Sequence, residues 1–369
     1  MGKTSLAREL GRRLACDGWL FFYVDLEEAV HPEDVVALLA QQLHPVQSLA
    51  SRLVQAMGRV GRNVEEIGAY EFRLRVRAEL DAGNWRRHGE TLFEACATEP
   101  KRVLVVLDEL PIFLLTLLHR QGKEAVDDFL TWLRAMQQNV AGRGLVFIAS
   151  GSIGLVPLTT RLGIPDRINH LAPFRLRPWD RGACIACFAS LASAHELQLE
   201  GSVAEAVYDK LGLGIPHHVQ SFFAHLRDDA MIGGRTTLNV DAVDRVYRES
   251  LLGPWGQTDL MHYDTRLKDA LDDRSHRIAL ELLTETATQG VLTSTARDRL
   301  EAQLAALEGD AQGRVAGVLD VLVHDGYLIS ADRGHVFQSR LLRDWWLARF
   351  GRGHEPLEQR TTAGPGEHA

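Results

Sequence analysis

The chain has 369 residues, 46% of them hydrophobic and 24% charged, with a formal net charge of -8. That length supports two or three domains with cores of their own, and the balance is that of an ordinary globular protein. An acidic total excludes a general attraction to nucleic-acid phosphates, no apolar run approaches the ~20 residues of a membrane span, and no signal peptide is visible, so a cytoplasmic protein is expected.

The chain opens on Met1-Gly2-Lys3-Thr4-Ser5, which reads as the second half of a phosphate-binding loop. The whole motif is Gly, four residues, then Gly-Lys-Ser/Thr. It points backbone N–H groups and a lysine at phosphates, and its hydroxyl holds Mg²⁺. Gly2, Lys3, Thr4 and Ser5 are therefore expected nucleotide-binding residues, with Thr4 also a metal ligand. Leu6, Leu10 and Leu14 follow at helical spacing, and Gly18 is placed to end that helix. Leu20 to Asp25 is a short apolar run that fits a buried parallel strand. Residues 31-100 read as a helical insertion, in which Arg73, Arg75 and Arg77 scatter around the helix axis and favour a solvated flank over a phosphate-binding face.

The segment Arg102-Val103-Leu104-Val105-Val106-Leu107-Asp108-Glu109-Leu110-Pro111 carries the argument furthest. Its apolar run suits a central strand covered on both faces, and it delivers two carboxylates to the carboxyl edge of the sheet, where ligands bind in open α/β folds. A Walker B motif uses both: Asp108 for Mg²⁺, directly or through water, and Glu109 to polarise the water that attacks the γ-phosphate. A further strand is expected at Gly144 to Ser150, leading into Gly151-Ser152. Ser152, and after it Ser150, is a candidate to orient water or sense the γ-phosphate; a plain Gly/Ser turn is the competing reading. His170 to Leu176 is expected to be a last strand before Pro178.

Beyond Pro178, Asp180 to Leu197, Val203 to Leu211, Pro216 to Arg227 and Val240 to Leu251 read as short helices, and Leu252-Gly253-Pro254-Trp255-Gly256 as a boundary. Ser275 to Thr288, Ser294 to Leu307 (capped by Thr293) and Gly313 to Asp325 then give three helices, followed by a hairpin around Asp332-Arg333-Gly334. Three helices and a hairpin make a winged helix. Its third helix carries Arg314 against Asp320 and Asp325, a poor surface for DNA, so packing on the core or a protein partner is the favoured use. Residues 351-369 hold almost no large apolar side chain and read as a disordered tail. The four cysteines form no disulfide framework, and Cys184-Ile185-Ala186-Cys187 is a lone pair within a helix.

Together GKTSLARELGRRL, RVLVVLDELP, LVFIASGSIGL and GLGIPHHVQ resemble the prokaryotic AAA+ ATPases of the archaeal-type, STAND-related clade, over roughly residues 1 to 350. The resemblance implies an α/β P-loop core at 1-177, a helical lid at 178-262 and a winged helix at 263-350, with ATP and Mg²⁺ as ligands. It implies self-association or a protein partner, with slow ATP hydrolysis coupled to movement of lid and winged helix. It makes Arg161, or Arg167, a candidate arginine finger, each weighed against an ordinary surface arginine. It matches Gly214-Ile215-Pro216 to a lid turn packed near adenine, so that Pro216 is an expected nucleotide contact. The sensor-2 arginine of initiator-type relatives is replaced by His217-His218. ATP rather than GTP rests on this resemblance. In such a sheet the strand before the phosphate loop is central, and its loss would cost more than the ~5 to 15 kcal/mol by which a domain is stable. The natural protein is therefore expected to begin roughly ten to thirty residues upstream. A DNA-binding initiator or regulator, and a non-hydrolysing scaffold, stay open as alternatives.

Overall fold

A computed structural model of the chain describes residues 2–57, 67–253, 257–305 and 309–360. The residues divide into two compact units, Gly2–Phe174 and Arg175–Ala369. Among the described residues no helix is long and apolar enough to cross a membrane.

The first unit is α/β. Helix α1 (Lys3–Cys16) leads to β1 (Leu20–Asp25), then α2 (Pro32–Leu43), α3 (Gln47–Met57), α4 (Ala69–Glu79) and α5 (Trp85–Ala97) fill the insertion. Strand β2 (Val103–Asp108), α6 (Leu110–Gln121), α7 (Lys123–Asn139), β3 (Leu145–Ala149) and α8 (Leu155–Arg161) complete it. The strands are parallel in the order β1-β2-β3. Every residue of β2 is buried, as its unbroken apolar run requires of a strand covered on both faces. On one face Ala7, Leu10 and Leu14 of α1 pack on Leu104, Val106, Phe21, Tyr23 and Ile148. Gly11 belongs to that contact: a Cβ there would stand 2.4 Å from the Phe21 ring. On the other face Phe93, Trp132 and Phe129 form a chain of rings that reaches Phe147 of β3, with Phe93 and Phe147 centroids 5.2 Å apart.

Strand β3 has no further strand on its outer side among the described residues. Gly144 and Ser150 bond to β2 through Val103 N and Leu107 O. By the alternation of a parallel ladder, the N–H and C=O groups of Leu145, Phe147 and Ala149 then face outward.

The expected strand at His170 to Leu176 does not form. Residues 171–178 carry no regular structure, and Phe174 is 80% exposed. Pro173 and Pro178 remove donors a ladder would need, and the run pairs with no strand among the described residues.

The second unit begins with α9 (Arg181–Ala194), α10 (Val203–Leu211), α11 (Pro216–Ile232) and α12 (Val240–Val246), with a two-residue parallel pairing of β4 (Gln198–Leu199) and β5 (Thr237–Leu238). The expected boundary loop lies partly outside the described residues, at 254–256. Then come α13 (Gln257–Ala270), α14 (Asp273–Gln289), α15 (Ser294–Ala305) and α16 (Ala311–His324), the antiparallel hairpin β6 (Leu328–Ala331) and β7 (Gly334–Phe337), and α17 (Arg340–Phe350). This is the winged-helix arrangement. Thr293 caps α15 as expected, its hydroxyl accepting from Ala296 N–H at 2.9 Å. Within this unit the buried Tyr247 donates to Asp344 of α17 at 2.8 Å, which ties the helical part to the winged helix.

The tail differs from expectation over 351–360; residues 361–369 lie outside the described ones. Leu357 is 0% exposed, and the buried carboxylate of Glu285 in α14 accepts from His354 Nε2 at 2.7 Å and from Leu357 N–H at 3.0 Å. Arg360 pairs with Glu281, and Thr293 donates to Glu358 at 2.6 Å. One leucine and a set of polar partners hold the segment where composition alone suggests disorder.

Candidate nucleotide and metal site

Helix α1 starts from Gly2, whose φ of 77° and ψ of 23° lie in the left-handed region that glycine enters without steric cost. Lys3 and Thr4 occupy its first turn and are partly buried; Ser5 is exposed. Thr4 Oγ1 donates to Asp108 Oδ2 at 2.7 Å across 104 residues of sequence. The two halves of the expected motif therefore meet.

Asp108 ends β2, is 2% exposed, and gathers four donors. Thr4 Oγ1 and the Tyr23 hydroxyl, at 2.7 and 2.5 Å, donate to Oδ2. Ser150 Oγ and the Glu109 backbone N–H donate to Oδ1. Burial alone would raise the carboxyl pKa, but the donors from Ser150, Tyr23 and Thr4 outweigh it and hold Asp108 below the usual carboxylate range. Tyr23 feels the opposite pull: burial, then its bond to the anionic Asp108, push its phenol up to about 12. Asp108 is thus an anion at neutral pH and Tyr23 a neutral donor.

Glu109 stands at the junction of β2 and α6 with φ 54° and ψ 31°, one of two non-glycine residues with positive φ among the described residues. Such a backbone is uncommon for a residue with a Cβ, and it turns the side chain toward the tip of β3. There Glu109 Oε2 accepts from both the N–H and the hydroxyl of Ser152, each at 2.8 Å. The tip stays narrow because Gly151 has no side chain; a Cβ there would lie 2.4 Å from Pro111 Cδ. The two serines divide the work by position, Ser150 holding Asp108 and Ser152 holding Glu109.

The fit to a divalent metal follows from the donors. A threonine hydroxyl and a carboxylate are hard oxygen ligands of the kind Mg²⁺ takes, one or two from protein and the rest from water and phosphate. Among the described residues no group of three His, Cys, Asp or Glu side chains could hold a metal by itself. A cation here would need water or phosphate oxygens to complete its shell.

Other expected residues are placed elsewhere. Arg161 is exposed at the end of α8. Arg167 makes a two-pronged pair with Asp127 and a further one with Asp166, so its partly exposed guanidinium is already engaged within the first unit. Pro216 opens α11 in the second unit, with Ile215 as the extended residue before it. His218, two residues along that helix, is 1% exposed; burial, with His217 and His262 nearby, lowers its pKa to about 3, so it is neutral at pH 7 and does not supply the charge of an arginine. Its Nε2 meets the Tyr263 hydroxyl at 3.0 Å.

Comparison with solved structures now has a geometry to stand beside. A Walker-type ATPase of Pyrococcus abyssi superposes with a TM-score of 0.52 over 90% of this chain and 85% of that one, at 15% identity. The fold is that of a Walker-type ATPase. The likeness at that identity concerns architecture alone. Two further structures align with lower scores: the ORC1 protein of Aeropyrum pernix in complex with DNA (TM-score 0.38, 14% identity, 94% of this chain and 84% of that one) and Thermotoga maritima RuvB, a Holliday junction branch migration motor (0.34, 17%, 79% and 90%). No family model and no curated protein sequence matches the chain.

Tyr23 is the member of this cluster that sequence reading missed. It looked like one more strand-forming aromatic. Parity contained the signal: Tyr23 pairs with Val106 in register, two residues before Asp108 on the same face of the sheet.

Proposed function

We propose that this chain is an ATP-binding AAA+/STAND-like ATPase that couples Mg-ATP binding and slow hydrolysis to movement of its lid and winged helix. The observation that carries the reading is the hydrogen bond from Thr4 to Asp108, with Glu109 one residue further at the same strand tip. Lys3 would meet the β- and γ-phosphates, Gly2 and Ser5 would line the loop, and Thr4 and Asp108 would hold Mg²⁺. A bound Mg²⁺ supplies neutralisation of phosphate charge. Glu109 would take up the attacking water's proton, and Ser152 would aim its carboxylate. Pro216 is proposed at the adenine, and Arg161 as the residue a neighbouring subunit would lend.

A protein partner or self-association is the proposed use of the winged helix. Its third helix exposes Asp320, and Arg314 turns toward Asp272 at 3.3 Å, so the DNA-binding alternative finds little support in charge. Phosphate release by the full chain, compared between wild type and Glu109→Gln, tests the catalytic assignment. At least a roughly tenfold loss is expected with nucleotide binding retained; equal turnover in both sinks it.

A further inference from the structure

A carboxylate offers about four lone-pair sites, and on Asp108 all four are taken. Thr4 and Tyr23 share Oδ2, while Ser150 and the Glu109 N–H share Oδ1. A divalent cation, or a water that it carries, needs one of these sites. One donor must therefore yield, and the four differ in how easily they can. The Glu109 N–H is backbone fixed at the start of α6. Ser150 is anchored beside it by its own N–H on Leu107 O at 2.9 Å and by its C=O on Leu110 N at 3.1 Å. Thr4 can keep donating its proton to Oδ2 while its lone pairs face a cation. Tyr23 gains nothing from a cation. Its phenol sits at the end of a long side chain from β1, is partly exposed, and can turn to water; its ring rests under the Arg8 guanidinium at 4.8 Å from the centroid.

We infer that the Tyr23 hydroxyl is a displaceable occupant of Asp108 that competes with a divalent cation for the carboxylate. The inference rests on the reading of Thr4 and Asp108 as the metal-binding pair. It sets the direction of an effect that intuition would reverse: deleting a hydroxyl from the site strengthens metal binding. Without Tyr23's donor, the metal-free carboxylate loses a partner while the metal-bound one does not.

Mn²⁺ titrated into the full chain, alone and with a fixed concentration of ADP, and followed by electron paramagnetic resonance, reads this directly. Tyr23→Phe keeps the ring and is expected to bind Mn²⁺ roughly 3- to 10-fold more tightly than wild type, the size of one net hydrogen bond. In an Asp108→Asn background the same substitution should have no effect. Should the Phe variant fail to fold, Tyr23→Met removes the same hydroxyl and gives the same readout. Equal or weaker Mn²⁺ binding by the hydroxyl-less variant, with binding lost in Asp108→Asn, overturns the competition alone. Binding undiminished in Asp108→Asn, or absent from all the proteins, removes the metal-site reading and this inference with it.

Discussion

At Asp108 and Glu109 the strand signal and the chemical signal coincide, and that is why both could be found from residues alone. A five-residue apolar run that ends in two acids has few structural uses. The donors around them were harder to find, because a hydroxyl on a neighbouring strand is invisible until the register is known. Ser150 and Ser152 were recognised as polar groups at a strand tip, yet the bonds they make are to the acids themselves. Gly151 between them has a use that only the structure gives, since its Cα lies against the Pro111 ring. Gly151→Ala must push the loop away from the stiff Pro111 ring and is expected to destabilise the first unit by about 1–3 kcal/mol. Thermal unfolding measures it, and an unchanged midpoint would mean that the approach is not tight.

Among the elements, helices with a clear apolar stripe and the three core strands were legible, because their burial is dictated by their own sequence. The two segments read wrongly are those whose fate depends on partners elsewhere. Residues 170–176 look like a strand and pair with none among the described residues; residues 351–360 look disordered and have Glu285, Glu281 and Thr293 waiting for them. Composition sees neither circumstance. Leu357 is the apolar anchor of that terminal strap, and Leu357→Ala should cost about 2–5 kcal/mol. Urea unfolding of the full chain checks it: a midpoint indistinguishable from wild type would return the segment to the status of a loose tail.

For the molecule as a whole, the histidine on α11 links stability to pH. His218 has a folded-state pKa of about 3, below the ordinary value of 6.5. Between those limits the unfolded chain binds a proton that the folded chain refuses, so stability is full above about pH 6.5 and falls as the pH drops toward 3, by up to about 1.4 kcal/mol per unit from this group. His218→Gln should flatten that slope in denaturant titrations at pH 7, 6 and 5; a parallel slope in both proteins would assign the acid sensitivity elsewhere. At the same scale the outer margin of β3 has a consequence for pairing. Val146 is 44% exposed there, beside outward-facing backbone groups that any extended peptide could satisfy. Natural sheets blunt such margins with lysine, proline or bulges, and β3 carries none of these. That margin is therefore where an added strand would pair, and amide exchange at Leu145, Phe147 and Ala149 would slow if one did.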